Sequence, residues 1–96
     1  MDDDADTRRK ALTRRKALAY RAWHRGTREA DYMIGGFFDR YNAEWGEAEL
    51  RWFEAVIDEQ DVDIMAWALG RTDPPAHLAG PMVTALRRLD YIDIPR

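Results

Sequence analysis

The sequence predicts an all-α fold, a compact single-domain bundle of about five helices. Apolar residues recur at three- and four-residue intervals through most of the chain. No strand-length segment alternates polar and apolar residues with β-branched enrichment, and Tyr91 to Ile94 is too short and terminal to serve as one. A length of 96 residues with 11 aromatics and no cysteine suits one core held by packing, without disulfides or thiolate metal sites.

Residues 1–10 read as an acidic-then-basic extension that frays, and residues 11–92 as the helical domain. The first helix is expected from about Arg8 to His24. Within it Arg8-Arg9-Lys10-Ala11-Leu12 recurs as Arg14-Arg15-Lys16-Ala17-Leu18. A six-residue shift turns a helix through about 240°, so the copies cannot share a face and no solenoid follows. The stripe expected to dock is Leu12, Ala19 and Trp23, with the basic side chains in water.

Ala30, Met33, Ile34, Phe37, Phe38 and Tyr41 define the second helix and the centre of the core. Gly35 and Gly36 lie inside it, each about 1 kcal/mol worse than alanine in intrinsic propensity, which points to close approach of a neighbour or to a kink. Asn42 to Gly46 connects to a third helix on Leu50, Phe53, Val56 and Ile57, with Glu47, Glu49, Glu54 and Asp58 on its wet side. Asp61-Val62-Asp63 opens a short fourth helix carrying Ile64, Met65, Ala68 and Leu69; either aspartate suits a cap, and Gly70 a stop. A last helix is expected over His77 to Asp90 on Leu78, Met82, Ala85, Leu86 and Leu89, unless Pro81 marks its true start.

The residue inventory argues against self-contained catalysis. His24 and His77 sit in different segments without ligand spacing, and no Gly-x-Gly-x-x-Gly or Walker sequence occurs. No cofactor is expected to be held stably, and no metal. The longest apolar runs, Tyr32 to Phe38 and Ile64 to Leu69, fall short of the roughly 18 to 20 residues of a membrane span. The acidic start Asp2-Asp3-Asp4 is unlike a secretory signal or a presequence, so a cytoplasmic location is expected.

Charge is strongly partitioned. Residues 7–28 carry nine Lys or Arg and no carboxylate, whereas residues 29–70 carry eleven Asp or Glu against two Arg. A basic helix of this kind can bind phosphates through counterion release, which makes a small nucleic-acid-binding or regulatory module the alternative reading. It can equally be a solvated face or a dock for an acidic protein. A monomer is expected, with charge pairing between copies as a route to a dimer.

Arg25-Gly26-Thr27-Arg28-Glu29 lies at the charge boundary. Local structure accounts for each residue: Arg25 at the negative end of the first helix, Gly26 in a tight turn, Glu29 near the positive end of the second. Those helix-end effects are worth only about 0.3 to 1 kcal/mol each, so Glu29→Ala should hardly affect folding.

With its surroundings, Trp23-His24-Arg25-Gly26-Thr27-Arg28-Glu29-Ala30-Asp31, this segment carries an Arg-Gly-x-x-Glu motif. Phe37-Phe38, an acidic third segment and Asp61-Val62-Asp63-Ile64-Met65-Ala66-Trp67 follow in order. Over about residues 15–90 the chain resembles the SdhE family of flavoprotein assembly factors, known in mitochondria as succinate dehydrogenase assembly factor 2. The resemblance implies a five-helix chaperone that binds the flavoprotein subunit of succinate dehydrogenase, and in some bacteria that of fumarate reductase. It also implies that the factor promotes covalent attachment of FAD to that partner without being an enzyme itself.

By the same resemblance Arg25, Gly26, Glu29 and Asp31 are the partner-binding residues. Arg25 would offer a fork of donors, Gly26 close backbone approach and Glu29 an acceptor, while Asp31 continues the acidic edge. Arg28, Asp61, Asp63 and Trp67 are secondary candidates, although a Trp flanked by Met65, Ala68 and Leu69 is more often core.

Overall fold

Helix α2 (Arg28–Tyr41) is the spine of the molecule, and α1 (Asp2–Trp23) packs along it. Helices α3 (Glu47–Ile57), α4 (Asp61–Ala68) and α5 (Pro81–Arg87) complete an all-α fold, with short 3-10 turns at Asn42–Glu44 and Ala76–Leu78. This computed structural model describes residues 2–92, with side chains from Asp4 onward; Asp93 and Ile94, part of the terminal segment considered above, lie outside the described residues.

The predicted stripe of α2 is the one buried. Ala30, Met33, Ile34, Phe37 and Phe38 are all buried, and Tyr41 packs partly buried beside them. Phe37, 1% exposed, lies with its ring centroid 5.2 Å from those of Tyr41 and Tyr91 and 5.7 to 6.2 Å from those of Trp45, Trp52 and Phe53. The two glycines do bring neighbours close. A Cβ on Gly35 would run into the Trp23 indole, and one on Gly36 would sit 2.8 Å from the Tyr91 carbonyl oxygen. Trp23 and Tyr91 therefore lie directly against the α2 backbone, from the end of α1 and from the chain after α5.

Three local expectations are corrected. Helix α1 begins at Asp2, and its docking face is Leu18 and Ala22, with Ala19 partly buried. Of the predicted Leu12, Ala19, Trp23 stripe, Ala19 and Trp23 dock at the edge of this face, while Leu12 is 55% exposed and lies off it. The reason is electrostatic as well as apolar. Arg14 reaches Glu47 at 2.7 Å and Glu54 at 2.5 Å, and Arg15 reaches the Trp45 carbonyl at 2.7 Å and also the Asn42 carbonyl. Arg21 pairs with Asp58 at 2.5 Å. Arg14, Arg15 and Arg21, expected to face water, thus turn to α3 and its two ends, while Arg8, Arg9, Lys10 and Lys16 remain exposed.

In α4 the cap position is Gln60, with no side-chain capping bond; Asp61 is the first helical residue and its carboxylate turns to Arg25. The last predicted helix divides. Gly80 at φ +138° interrupts it, and Pro81 is the first residue of α5. A side-chain residue would be strained at that dihedral, whereas proline fits the first helical position because its missing N–H would be unpaired there anyway.

Candidate functional site

Helix α1 stops at Trp23, and the chain reverses through His24–Thr27 into α2. Gly26 takes φ +112°, and no atom lies within 4 Å of where its Cβ would be. Its requirement is thus the dihedral itself rather than close backbone approach. Thr27 is the N-cap of α2, extended at φ −130° and ψ 150°, and its Oγ1 accepts from the Ala30 N–H at 3.2 Å. The Arg25 backbone N–H donates to Asp31 Oδ1 at 2.6 Å, closing the turn from the other side.

The Arg25 side chain is engaged within the chain, which differs from both sequence readings of it. Its Nε donates to Asp61 Oδ1 at 2.7 Å, Nη1 to the Ile57 carbonyl at 2.9 Å and Nη2 to the Glu59 carbonyl at 3.2 Å. Ile57 is the last residue of α3, whose carbonyl has no intrahelical partner, so the guanidinium serves the end of α3 and not that of α1. The side chain is 11% exposed and Asp61 29%. Asp61 also sits in the first turn of α4, where a carboxylate is favoured by the helix dipole. Arg25, Asp31 and Asp61 thereby join the α1–α2 turn to the α3–α4 junction.

Arg28 and Glu29, in the first turn of α2, are exposed and make no ion pair among the described residues. Asp63, two residues beyond Asp61 in the first turn of α4, is exposed. Trp67 is 5% exposed and belongs to the core, as its apolar neighbours suggested, so it is withdrawn from the partner surface. Two open grooves flank Thr27. One, of 660 Å³, is lined by Trp23, His24, Arg28 and Tyr32. The other, of 410 Å³, runs along α4 between Val62, Met65, Leu69 and Arg71. Val62 is 72% exposed and Leu69 43%. Sequence reasoning passed over Thr27 as a cap, although its place just before an acidic first turn is an N-terminus signal.

Elsewhere, the His24 Nδ1–H donates to the Tyr20 carbonyl, 2.7 Å away, and the ring stacks on that of Tyr20 at 3.9 Å. Among the described residues no group of three His, Cys, Asp or Glu is placed to hold a metal ion, and no helix is long and apolar enough to cross a membrane.

The fold is thus a short helical bundle with a charged, hydrogen-bonded edge between two open grooves. Residues 16–90 match the Sdh5 family, described as the flavinator of succinate dehydrogenase. The chain belongs to that family. It is 38% identical over 76 residues to the FAD assembly factor SdhE of Acetobacter pasteurianus, covering 79% of this chain and 67% of that one. It is 32% identical over 77 residues to the mitochondrial succinate dehydrogenase assembly factor 2 of Cryptococcus neoformans, covering 79% of this chain and 44% of that one. To the protein of the same name in Scheffersomyces stipitis it is 37% identical over 60 residues, covering 62% of this chain and 40% of that one. The matched region thus spans less than half of these mitochondrial relatives. No solved structure matches the chain significantly.

Proposed function

We propose that this protein is an FAD assembly factor that binds the flavoprotein subunit of succinate dehydrogenase and promotes its covalent flavinylation. The observation that carries the reading is the family match over residues 16–90. It is supported by where the motif falls: Glu29 and Arg28 stand exposed on a turn fixed by hydrogen bonds on both sides. The fumarate reductase flavoprotein is a second client of the same chemistry, and the cytoplasm is the compartment in which both would be met.

The factor acts as a chaperone and not as an enzyme. It contributes geometry, holding the flavoprotein so that the receiving histidine and the flavin carbon meet in reactive orientation. Such positioning lowers a barrier by several kcal/mol, with no group on the helper exchanging a proton. FAD stays with the client throughout.

The test is in-gel flavin fluorescence of the succinate dehydrogenase flavoprotein in cells lacking this protein, restored with wild type or Glu29→Ala. Restoration by wild type and failure by a Glu29→Ala protein that melts like wild type is the expected result. Normal flavinylation in cells without the protein overturns the reading.

A further inference from the structure

We propose that Arg25, Asp31 and Asp61 are positioning residues, a lock that fixes the Thr27–Glu29 edge, and that the client is met by that edge and not by the three themselves. The inference rests on the assembly-factor reading for its partner, but its geometry stands without it. Each guanidinium nitrogen of Arg25 already has an acceptor, on Asp61, Ile57 and Glu59. Three of its five N–H donors are thus taken, on a side chain that is 11% exposed, so a client carboxylate could grip the Nε edge of the fork only by displacing Asp61. Asp31 Oδ1 is likewise engaged, by the Arg25 N–H at 2.6 Å.

What the lock controls follows from Gly26. Gly26 supplies its φ of +112° with no neighbour where a Cβ would be, so nothing in its own packing sets the direction of Thr27, Arg28 and Glu29. The direction is set on one side by the Thr27 cap on α2 and on the other by Arg25, anchored 32 to 36 residues away in sequence at the α3–α4 junction. The same anchor fixes the edge relative to the α4 groove, which shares Thr27 and Asp61 as lining residues. Glu29 is thus placed by a residue that does not touch what Glu29 touches.

Two measurements test this. The first needs no partner: amide hydrogen exchange of Ala30 and Asp31, whose N–H groups bond to Thr27. In Arg25→Lys and Asp61→Ala these amides should exchange about tenfold faster while the α2 core amides keep their protection, since the opening is local. Lysine keeps the charge but cannot span three acceptors. Unchanged exchange at the turn overturns the lock, whether or not the chain binds a flavoprotein.

The second is the Kd for purified succinate dehydrogenase flavoprotein, taken where circular dichroism shows every variant folded. Asp31→Asn, which keeps the acceptor oxygen, should recover most of the affinity lost in Asp31→Ala. The double variant Arg25→Ala with Asp61→Ala should lose no more than about twofold beyond either single one, because each breaks the same link. Multiplying losses, with Asp31→Asn as weak as Asp31→Ala, would show direct charged contacts and overturn the proposal. Failure of wild type itself to bind, with exchange altered as expected, would count against the assembly-factor reading alone.

Discussion

Leu18→Ala should unfold this protein far more readily than Leu12→Ala, although both leucines close the same five-residue repeat. Leu18 is 3% exposed and Leu12 55%. Of the described α1 side chains, only Leu18 and Ala22 are buried, so Leu18 is the large fully buried anchor of α1, beside the half-buried Trp23 on Gly35. Truncating a buried leucine costs about 2 to 5 kcal/mol, the upper end applying where the surroundings cannot collapse. Helix α1 has a free outer side and can settle inward, which places the expected loss near 3 kcal/mol. For a chain of this length each kcal/mol lowers Tm by about 4 to 8 °C, so the shift should be about 12 to 24 °C. Leu12→Ala removes a side chain that is mostly in water and should stay within about 0.5 kcal/mol. Thermal melts followed by far-ultraviolet circular dichroism, with urea melts to check that m is unchanged, decide it. A larger drop for Leu12→Ala than for Leu18→Ala would refute the register of α1 described above.

Further outcomes follow from the same structure. Thr27→Ala removes the cap on the Ala30 N–H and should cost about 1 kcal/mol, read as a lower urea midpoint. Burial pushes the Tyr91 phenol above its ordinary 10.0, with Asp90 adding to the effect, while the hydroxyl donates to the Leu86 carbonyl at 2.5 Å. The folded state therefore holds a proton that the unfolded chain gives up, so stability is full below pH 10.0 and falls as pH rises beyond it. Tyr91→Phe should flatten that alkaline loss in urea melts taken across the range. At the acid end, hydrogen bonds from Arg14 and then Arg51 hold the Glu47 carboxyl below its ordinary 4.5. Its contribution is present above 4.5 and is lost as pH falls through the lowered value; Glu47→Gln should show a shallower acid limb.

The parts of the fold legible in the sequence are those where apolar spacing and backbone chemistry agree. On α2, six apolar residues at helical intervals left one possible face, and two glycines within it pointed to close neighbours or a kink, of which the close neighbours are found. Pro81 was one of two starts the sequence left open for the last helix, and it is the one found. What was not legible depends on pairing across long separations. Helix α1 has few apolar residues, and the long stems of Arg14 and Arg15 cover part of its inward side while their heads reach Glu54 and Trp45. A pattern that counts arginine as solvent-facing must then put Leu12 on the inward stripe. Trp45, 7% exposed and packed on Phe38 and Phe53, lies in a connection without periodicity, where no helical spacing could nominate it for the core.

The charge boundary at Arg25 shows why a motif can be read correctly while its residues are misassigned. Of the nine cations in residues 7–28, Arg14, Arg15, Arg21 and Arg25 turn inward onto groups between Asn42 and Asp61. Part of the charge partition along the chain is therefore consumed in folding it, where the basic helix closes on Glu47, Glu54, Asp58 and Asp61. Arg25 is the last cation of that seam and the first residue of the motif, so its sequence position is compatible with contact inside or outside the chain. The difference lies in acceptors more than 30 residues away, two of them backbone carbonyls that any sequence could supply. Glu29, beyond the seam, has no such partner among the described residues and remains in water. A surface made of Glu29 and Arg28, oriented from behind by Arg25, reconciles a motif that a folding role largely explains with an edge that folding leaves unused.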